Sequence, residues 1–439
     1  MAEKSKPTLH LIGLLPDLKW LPPAVLALIE EADVLAASDR LLSLFPRAKA
    51  ARLRMSMPLE GWLKELKSLQ RQGRKVAVLT SGDPNHYGLA KKLLSVIEPE
   101  SVTVIPAPTI VQEAFARLKT SWAHTEVVSL HGRESQTAFW SALFRASHYP
   151  GSGFVAVYTD ADNTPAVIAK RLLGRGQRNW RMMVFEDLGT QDERSSTWTL
   201  FEAKVRKFSP LNLAVLECLK RPAHISLGMP ENVFVHEAGL ITKLEIRVAA
   251  LGLLELQPYH TLWDLGAGSG SVSIEAASLL PHGSIWAVEK SPLRSEQLAA
   301  NRAFFGATQV ELIEDDSRAA MNHLPPPDRV FIGGGGKALP EIIKTARHKL
   351  RPKGLILANA ISLESLGLAT QAIREAGLEL SVTQIQAARS ETLLATTAIK
   401  EAGLELFVTR NQAAHPEPLS DSLILKPLNQ VWLVRGKDK

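Results

Sequence analysis

The sequence predicts an α/β protein of two domains, and three observations carry that expectation. At 439 residues the chain is long enough for two or three domains. Its first half repeats a strand-then-helix alternation, which argues for layered α/β structure with sites at the strand ends. Past the middle, "LWDLGAGSGSVSIEAA" (262–277) joins a buried strand to a helical pattern through a glycine-rich turn.

Along the first half, the strands in "LHLIGLL", "KVAVLTSG", "VTVIPA", "EVVSLHG", "FVAVYTD" and "RMMVFEDLG" are each expected to end in a loop rather than a hairpin. The last strand, in "FSPLNLAVLECLKRP", runs out into a proline-marked connection, which puts the domains at 7–218 and 219–439. The second half opens on "GMPENVFVHEAGLITKLEIRVAALGLLEL", helical in its later portion, and continues through strands in "SIWAVEK", "VELIE", "RVFIGGGG", "GLILANA" and "QVWLVRG". A segment at 372–388, "AIREAGLELSVTQIQAA", returns at 398–414 as "AIKEAGLELFVTRNQAA", identical at 13 of 17 positions. Two copies are too few for a solenoid. One copy is expected to form the helix–strand unit before "NQVWLV", and the other to be an added element outside the site.

Composition narrows the function classes. Hydrophobic residues at 45% beside 22% charged residues are ordinary for a globular protein. The single cysteine, Cys218, rules out an intramolecular disulfide and a zinc-like cysteine cluster, suits a reducing compartment, and reads as a small core residue. No metal site is expected. No run of eighteen apolar residues occurs, and "LHLIGLL" is cut short by Pro16 and Asp17, so neither a membrane span nor a secretory signal is expected and the cytoplasm is the predicted location. A formal charge of +6 fits nucleic acid or a polyanionic small molecule, but long basic runs with interleaved aromatics are missing.

The glycine turn is the sharpest signal. Removing side chains lets a ligand approach the backbone, and the following helix aims its free N–H groups at the same place. Gly266, Gly268 and Gly270 are spaced G-x-G-x-G behind Asp264, a departure from the G-x-G-x-x-G dinucleotide fingerprint. Glu289 closes the next strand, where a carboxylate can accept both hydroxyls of a ribose. Glu314, Asp315 and Asp316 close the third, and the glycines of "VFIGGGGK", Gly333 among them, can line a wide, flat opening or form a flexible loop at a strand end. In the first half, "TSGDPNHYG" sets Gly82, Asp83 and Pro84 at a strand end, "IPAPTIVQEAFARL" places Pro106 in a loop before a helix, and "VVSLHGR" exposes His131 and Arg133 to the same cleft. A plain Asp-Pro turn at Asp83, and a solvated carboxylate at each acid taken singly, stay open as alternatives.

Asp264, the three glycines, Glu289 and Asp316 resemble the motifs of class I S-adenosylmethionine-dependent methyltransferases, which implies that Asp316 meets the adenine amino group. "VLTSGDPNHYG", "IPAPTIVQEAFARL", "VVSLHGR", "NTPAVIAKRLL", "FEDLGTQDER" and "FSPLNLAVLE" resemble the tetrapyrrole methylases of cobalamin biosynthesis. "HEAGLITKLEIR", the glycine turn and "VFIGGGG" resemble their class I partner, so nearly the whole chain is similar to a family of fused, decarboxylating methyltransferases that act on precorrin-6Y.

The resemblance implies an N-terminal tetrapyrrole methylase-like two-lobed α/β domain and a C-terminal class I (Rossmann-like) methyltransferase domain. The first would methylate C5 of a precorrin-6 intermediate, and the second would methylate C15 and decarboxylate the ring C acetate. Each would bind one S-adenosylmethionine, the first with Gly82, Asp83, Pro84 and Pro106, the second with Asp264, Gly266, Gly268, Gly270, Glu289, Asp316 and Gly333. His131, Arg133, His236, Thr242, Lys243 and Arg247 are the candidates for the carboxylates of the tetrapyrrole, with a solvated or helix-capping role open for each. No catalytic acid or base is nominated, since methyl transfer from a sulfonium asks chiefly for alignment and exclusion of water. A homo-oligomer without nucleic acid or membrane is expected.

The family's opening loop is usually G-x-G-P-G, whereas "IGLLPDLKWL" keeps only Gly13 and Pro16, and Ala107 stands where a glycine usually follows "IP". Two alternatives stay open: an RNA methyltransferase, suggested by the high pI, and a C15 enzyme whose N-terminal half is a non-catalytic binding module.

Overall fold

The computed structural model describes residues 9–15, 17–131, 136–237, 239–392, 423–427 and 430–438. The chain divides into two compact units, Met1–Arg221 and Pro222–Lys439, against the expected start of the second domain at Leu219.

The first unit holds two five-stranded sheets. One is wholly parallel, in the order Ala51–Arg54, Val34–Ala37, Val76–Ser81, Leu9–Leu14, Val102–Ile105. Its central strands are continuous apolar runs because helices cover both faces. The other is mixed, in the order Thr125–Ser129, Phe154–Tyr158, Asn212–Cys218, Trp180–Glu186, Arg194–Thr199, with only the first pair parallel. Here one expectation is corrected. The strand in "RMMVFEDLG" does not end in an open loop but turns back through Asp187 (φ 50°) and Gly189 (φ 76°) into an antiparallel partner. That partner, "RSSTWT", is an edge strand with mostly exposed side chains, so it carries no apolar signal.

The second unit is built on one seven-stranded sheet, in the order Val310–Glu314, Ser284–Glu289, Thr261–Leu265, Arg329–Ile332, Leu355–Ala360, Val431–Lys437, Glu379–Ile385. The first five strands are parallel, and Val431–Lys437 runs antiparallel to both neighbours. This is the α/β arrangement expected for a class I methyltransferase half. One core, on one face of the sheet, gathers Trp263, Val330, Ile356 and Val434 with Ile343 and Ile373 from the helices Leu339–Lys349 and Leu363–Glu375.

The first copy of the repeat fills the place before the last strand: its start completes Leu363–Glu375 and its middle forms Glu379–Ile385. The fit is close, for a Cβ added at Gly436 would lie 2.6 Å from Ile373 Cδ1. Strand Ala388–Thr392 follows and pairs with Leu423–Pro427. The second copy, 398–414, lies outside the described residues, as does Pro16.

Candidate functional site

In a parallel sheet, loops at the carboxyl ends of the strands converge. In the second unit the first of these is the glycine turn, where Gly266, Gly268 and Gly270 have φ of 77°, 57° and 82°. A Cβ added at Gly270 would lie 2.6 Å from Leu298 Cγ, so packing forbids a side chain there. One added at Gly268 would meet nothing within 4 Å, which leaves open space over the turn. Helix Ser271–Leu279 starts directly behind it with its first N–H groups unpaired along the helix. Gly333, after Arg329–Ile332, closes the other side: its Cβ would lie 2.8 Å from the Gly266 carbonyl.

Two buried carboxylates flank this turn. Glu289 Oε2 accepts from Gly268 N–H at 2.8 Å and Oε1 from Ser291 N–H at 2.9 Å, so the acid at the end of the second strand is locked to the glycine turn. Asp264 Oδ2 accepts from the Ser273 hydroxyl at 2.5 Å, while Oδ1 is buried without a hydrogen-bond partner. Loss of water pushes the Asp264 carboxyl up to about 6; the Ser273 bond opposes this and the Glu289 charge adds to it. Asp316 stands at the end of the third strand, caps the short helix Ser317–Ala320, and pairs with Arg318 Nε at 2.9 Å. That partner holds its carboxyl below the usual range. An open glycine turn, a strand-end carboxylate and an orphaned buried oxygen together fit a nucleoside-bearing donor.

The segment leading into this unit needs a correction. Arg247, expected to face substrate, is fully buried: it pairs with Glu275 at 2.8 Å, donates from Nη1 to the Thr242 carbonyl at 2.5 Å and from Nη2 to the Met229 carbonyl. Glu275 in turn accepts from the N–H groups of Gly228 (3.0 Å) and Met229 (2.9 Å). The guanidinium satisfies a buried acid and two carbonyls, so it anchors the chain instead of meeting a ligand. Thr242 contributes its carbonyl to that anchor, and Lys243 precedes helix Leu244–Leu253 as its N-cap. The half-buried His236 places Nδ1 2.8 Å from the Glu237 carbonyl. The sequence pattern did not single out Asn301, which shares the buried face of helix Pro292–Phe304 with Ser295 and Leu298. A buried polar residue on an amphipathic stripe was the available signal.

In the first unit three loops meet. A Cβ added at Gly13 would lie 2.1 Å from the Gly82 carbonyl and 2.9 Å from Ala107 N, and Gly82 has φ 63°. Ala107 and Leu15 do not have positive φ, so the residues that depart from the glycine-rich pattern sit without backbone strain. Pro106 is exposed beside them, in a groove also lined by Leu18 and Trp20. Asp83 Oδ1 accepts from Asn85 N–H at 2.8 Å, and buried Pro84 accepts from Ala90 N–H at 3.0 Å. Beyond them His86 Nδ1 lies 3.2 Å from the Tyr158 hydroxyl, and the Tyr87 hydroxyl donates to the Val127 carbonyl at 2.8 Å, which ties the Gly82 loop to the second sheet. Burial lowers His86 and raises Tyr158, leaving both neutral at physiological pH. His131 is exposed just past Thr125–Ser129, and Arg133 lies outside the described residues. Among the described residues no group of three or more His, Cys, Asp or Glu could hold a metal, and no helix is long and apolar enough to cross a membrane.

Comparison with known proteins gives the same division. The family model for tetrapyrrole (corrin/porphyrin) methylases matches residues 8–204, and that for the precorrin methyltransferase domain matches 232–404. A precorrin-6Y C(5,15)-methyltransferase (decarboxylating) of a Sinorhizobium species is 31% identical over 346 residues, 77% of this chain and 80% of the relative. One of the same name from Mycobacterium tuberculosis is 29% identical over 359 residues, 80% of this chain and 86% of its own. A probable cobalt-precorrin-6B C(15)-methyltransferase (decarboxylating) of Pyrobaculum aerophilum is 38% identical over 169 residues, 38% of this chain and 86% of its own. Fold, glycine turn and relatives together define an S-adenosylmethionine-dependent C-methyltransferase of cobalamin biosynthesis. More narrowly, the chain belongs to the precorrin-6Y C(5,15)-methyltransferase (decarboxylating) family. The RNA-modifying alternative finds no support among these relatives.

Proposed function

We propose that the first unit methylates C5 of a precorrin-6 intermediate, and that the second methylates C15 and removes the carboxyl of the ring C acetate, each with its own S-adenosylmethionine. The observation that carries this reading is the presence of a separate strand-end cluster in each unit: Gly13, Gly82 and Ala107 in one, Gly266, Glu289 and Gly333 in the other. A relative named for C(15) methylation with decarboxylation alone supports the idea that this chemistry needs only one domain.

When bound, the donor supplies an electrophilic methyl group on a sulfonium. In the second unit, Glu289 would hold its ribose, Asp316 its adenine, and the Gly268 opening its approach to the backbone. The glycines after Arg329–Ile332 would leave room for a flat macrocycle, with His236 and Lys243 near its carboxylates. In the first unit, Gly82, Asp83, Pro84 and Pro106 would shape the donor cleft, with His131 and Arg133 toward the substrate. Alignment and exclusion of water account for the methyl transfers.

Titration of S-adenosylhomocysteine into the whole chain by calorimetry tests this reading. Two sites are expected, falling to one in Glu289→Gln. A single site that disappears in Glu289→Gln would mean that the first unit serves as a binding module without a donor.

A further inference from the structure

Helix Pro292–Phe304 and its C-cap Phe305 present three residues about one turn apart to two different pieces of chain. Leu298 presses on Gly270 from behind the glycine turn. Asn301, 1% exposed, donates from Nδ2 to the Ser269 carbonyl of that turn at 2.8 Å and to the Val235 carbonyl at 2.9 Å, and its Oδ1 accepts from Val235 N–H at 2.8 Å. The buried Phe305 ring just beyond packs on Phe234 with centroids 5.3 Å apart. One amide thus uses both of its N–H groups and its oxygen to join the lead-in segment to the glycine turn.

The lead-in segment is held elsewhere as well. Glu275 holds Gly228 and Met229 upstream, and Arg389 pairs with Glu231 at 2.8 Å and with Glu245 at 2.7 Å. His236 and Glu237 therefore follow directly on a tether to the glycine turn at Val235, while further on the Thr242 carbonyl is held by Arg247.

We infer that Asn301 is a positioning residue that couples occupation of the glycine turn to the placement of Val235 and, through it, of His236 and Glu237. This rests on the donor-site reading of the second unit. A ligand that fixes Ser269 also fixes the shared amide, and through it Val235, so the two segments order together.

The test is hydrogen–deuterium exchange of the whole chain with and without S-adenosylhomocysteine. In the unaltered protein the ligand is expected to slow exchange both at 266–271 and at 233–237. Asn301→Asp keeps the acceptor for Val235 N–H but loses both donors, and Val235→Pro removes that N–H while leaving Asn301 and Ser269 untouched. In both variants protection at 266–271 should persist while ligand-dependent protection at 233–237 is lost, and affinity should fall by about five- to tenfold, the scale of a modest coupling. Ligand-dependent protection at 233–237 that survives in both variants would overturn the inference. Absence of protection at 266–271 in the unaltered protein would instead overturn the donor-site reading, and the inference with it.

Discussion

At the scale of single residues, the second unit spends two of its acids in unlike ways. Asp264 is buried with one oxygen unpartnered, and its carboxyl is pushed from 3.8 to about 6. The folded chain therefore keeps a proton that the unfolded chain has already lost, and its stability from this group falls as pH rises from about 4 through 6 and levels off above. The shift corresponds to about 3 kcal/mol. Asp264→Asn should flatten the pH dependence of urea unfolding across that window, and an unchanged slope would assign the proton elsewhere. Arg247 and Glu275 are the opposite case, a fully buried pair closed by backbone partners. Arg247→Met strands the acid and is expected to cost about 3–5 kcal/mol in chemical denaturation, with Arg247→Met combined with Glu275→Gln recovering part of it.

At the scale of elements, the glycine turn divides its labour by position. Gly268→Ala faces open space, so it should lose about 1–2 kcal/mol of stability from positive φ while strongly weakening S-adenosylhomocysteine binding. Gly270→Ala meets Leu298 and should lose more stability, about 2–4 kcal/mol, with denaturation and calorimetry separating the two. The turn and the strand-end place of Glu289 were legible in the sequence because alternating glycines between an apolar run and a helical pattern mark positive φ, and the next apolar run stops at the acid. Arg247 was misread because a charge in an amphipathic stretch reads as exposed; its partner, Glu275, lies 28 positions on (275 − 247), and no local pattern joins them. The partners of Asn301, and the His86–Tyr158 contact between the loop after Val76–Ser81 and the end of Phe154–Tyr158, were illegible for the same reason.

At the scale of the whole molecule, each unit has its own cores and its own strand-end cluster. The alternation of strands and helices and the order of motifs made the two α/β halves readable, whereas the antiparallel half of the first unit's second sheet was hidden by a polar edge strand. The repeat adds a prediction at this scale. Since the first copy fills the edge of the seven-stranded sheet, replacing 394–421 by a short turn between the strands Ala388–Thr392 and Leu423–Pro427 should leave the thermal midpoint and donor affinity unchanged. Loss of cooperative unfolding would show that the second copy is needed.

The same repeat has a consequence in genetic terms. Its copies are offset by 26 residues (398 − 372), so unequal recombination between them would delete one period and leave a hybrid helix–strand unit. The two differ at 374, 381, 384 and 385, none of them fully buried in the first copy, so the hybrid would keep every buried side chain. It would, however, be followed by His415 in place of Arg389, whose guanidinium pairs with both Glu231 and Glu245. A shortened allele would therefore lose that arginine together with the strand Ala388–Thr392, whose place Pro416 and Pro418 would interrupt, and would hold its lead-in segment less firmly.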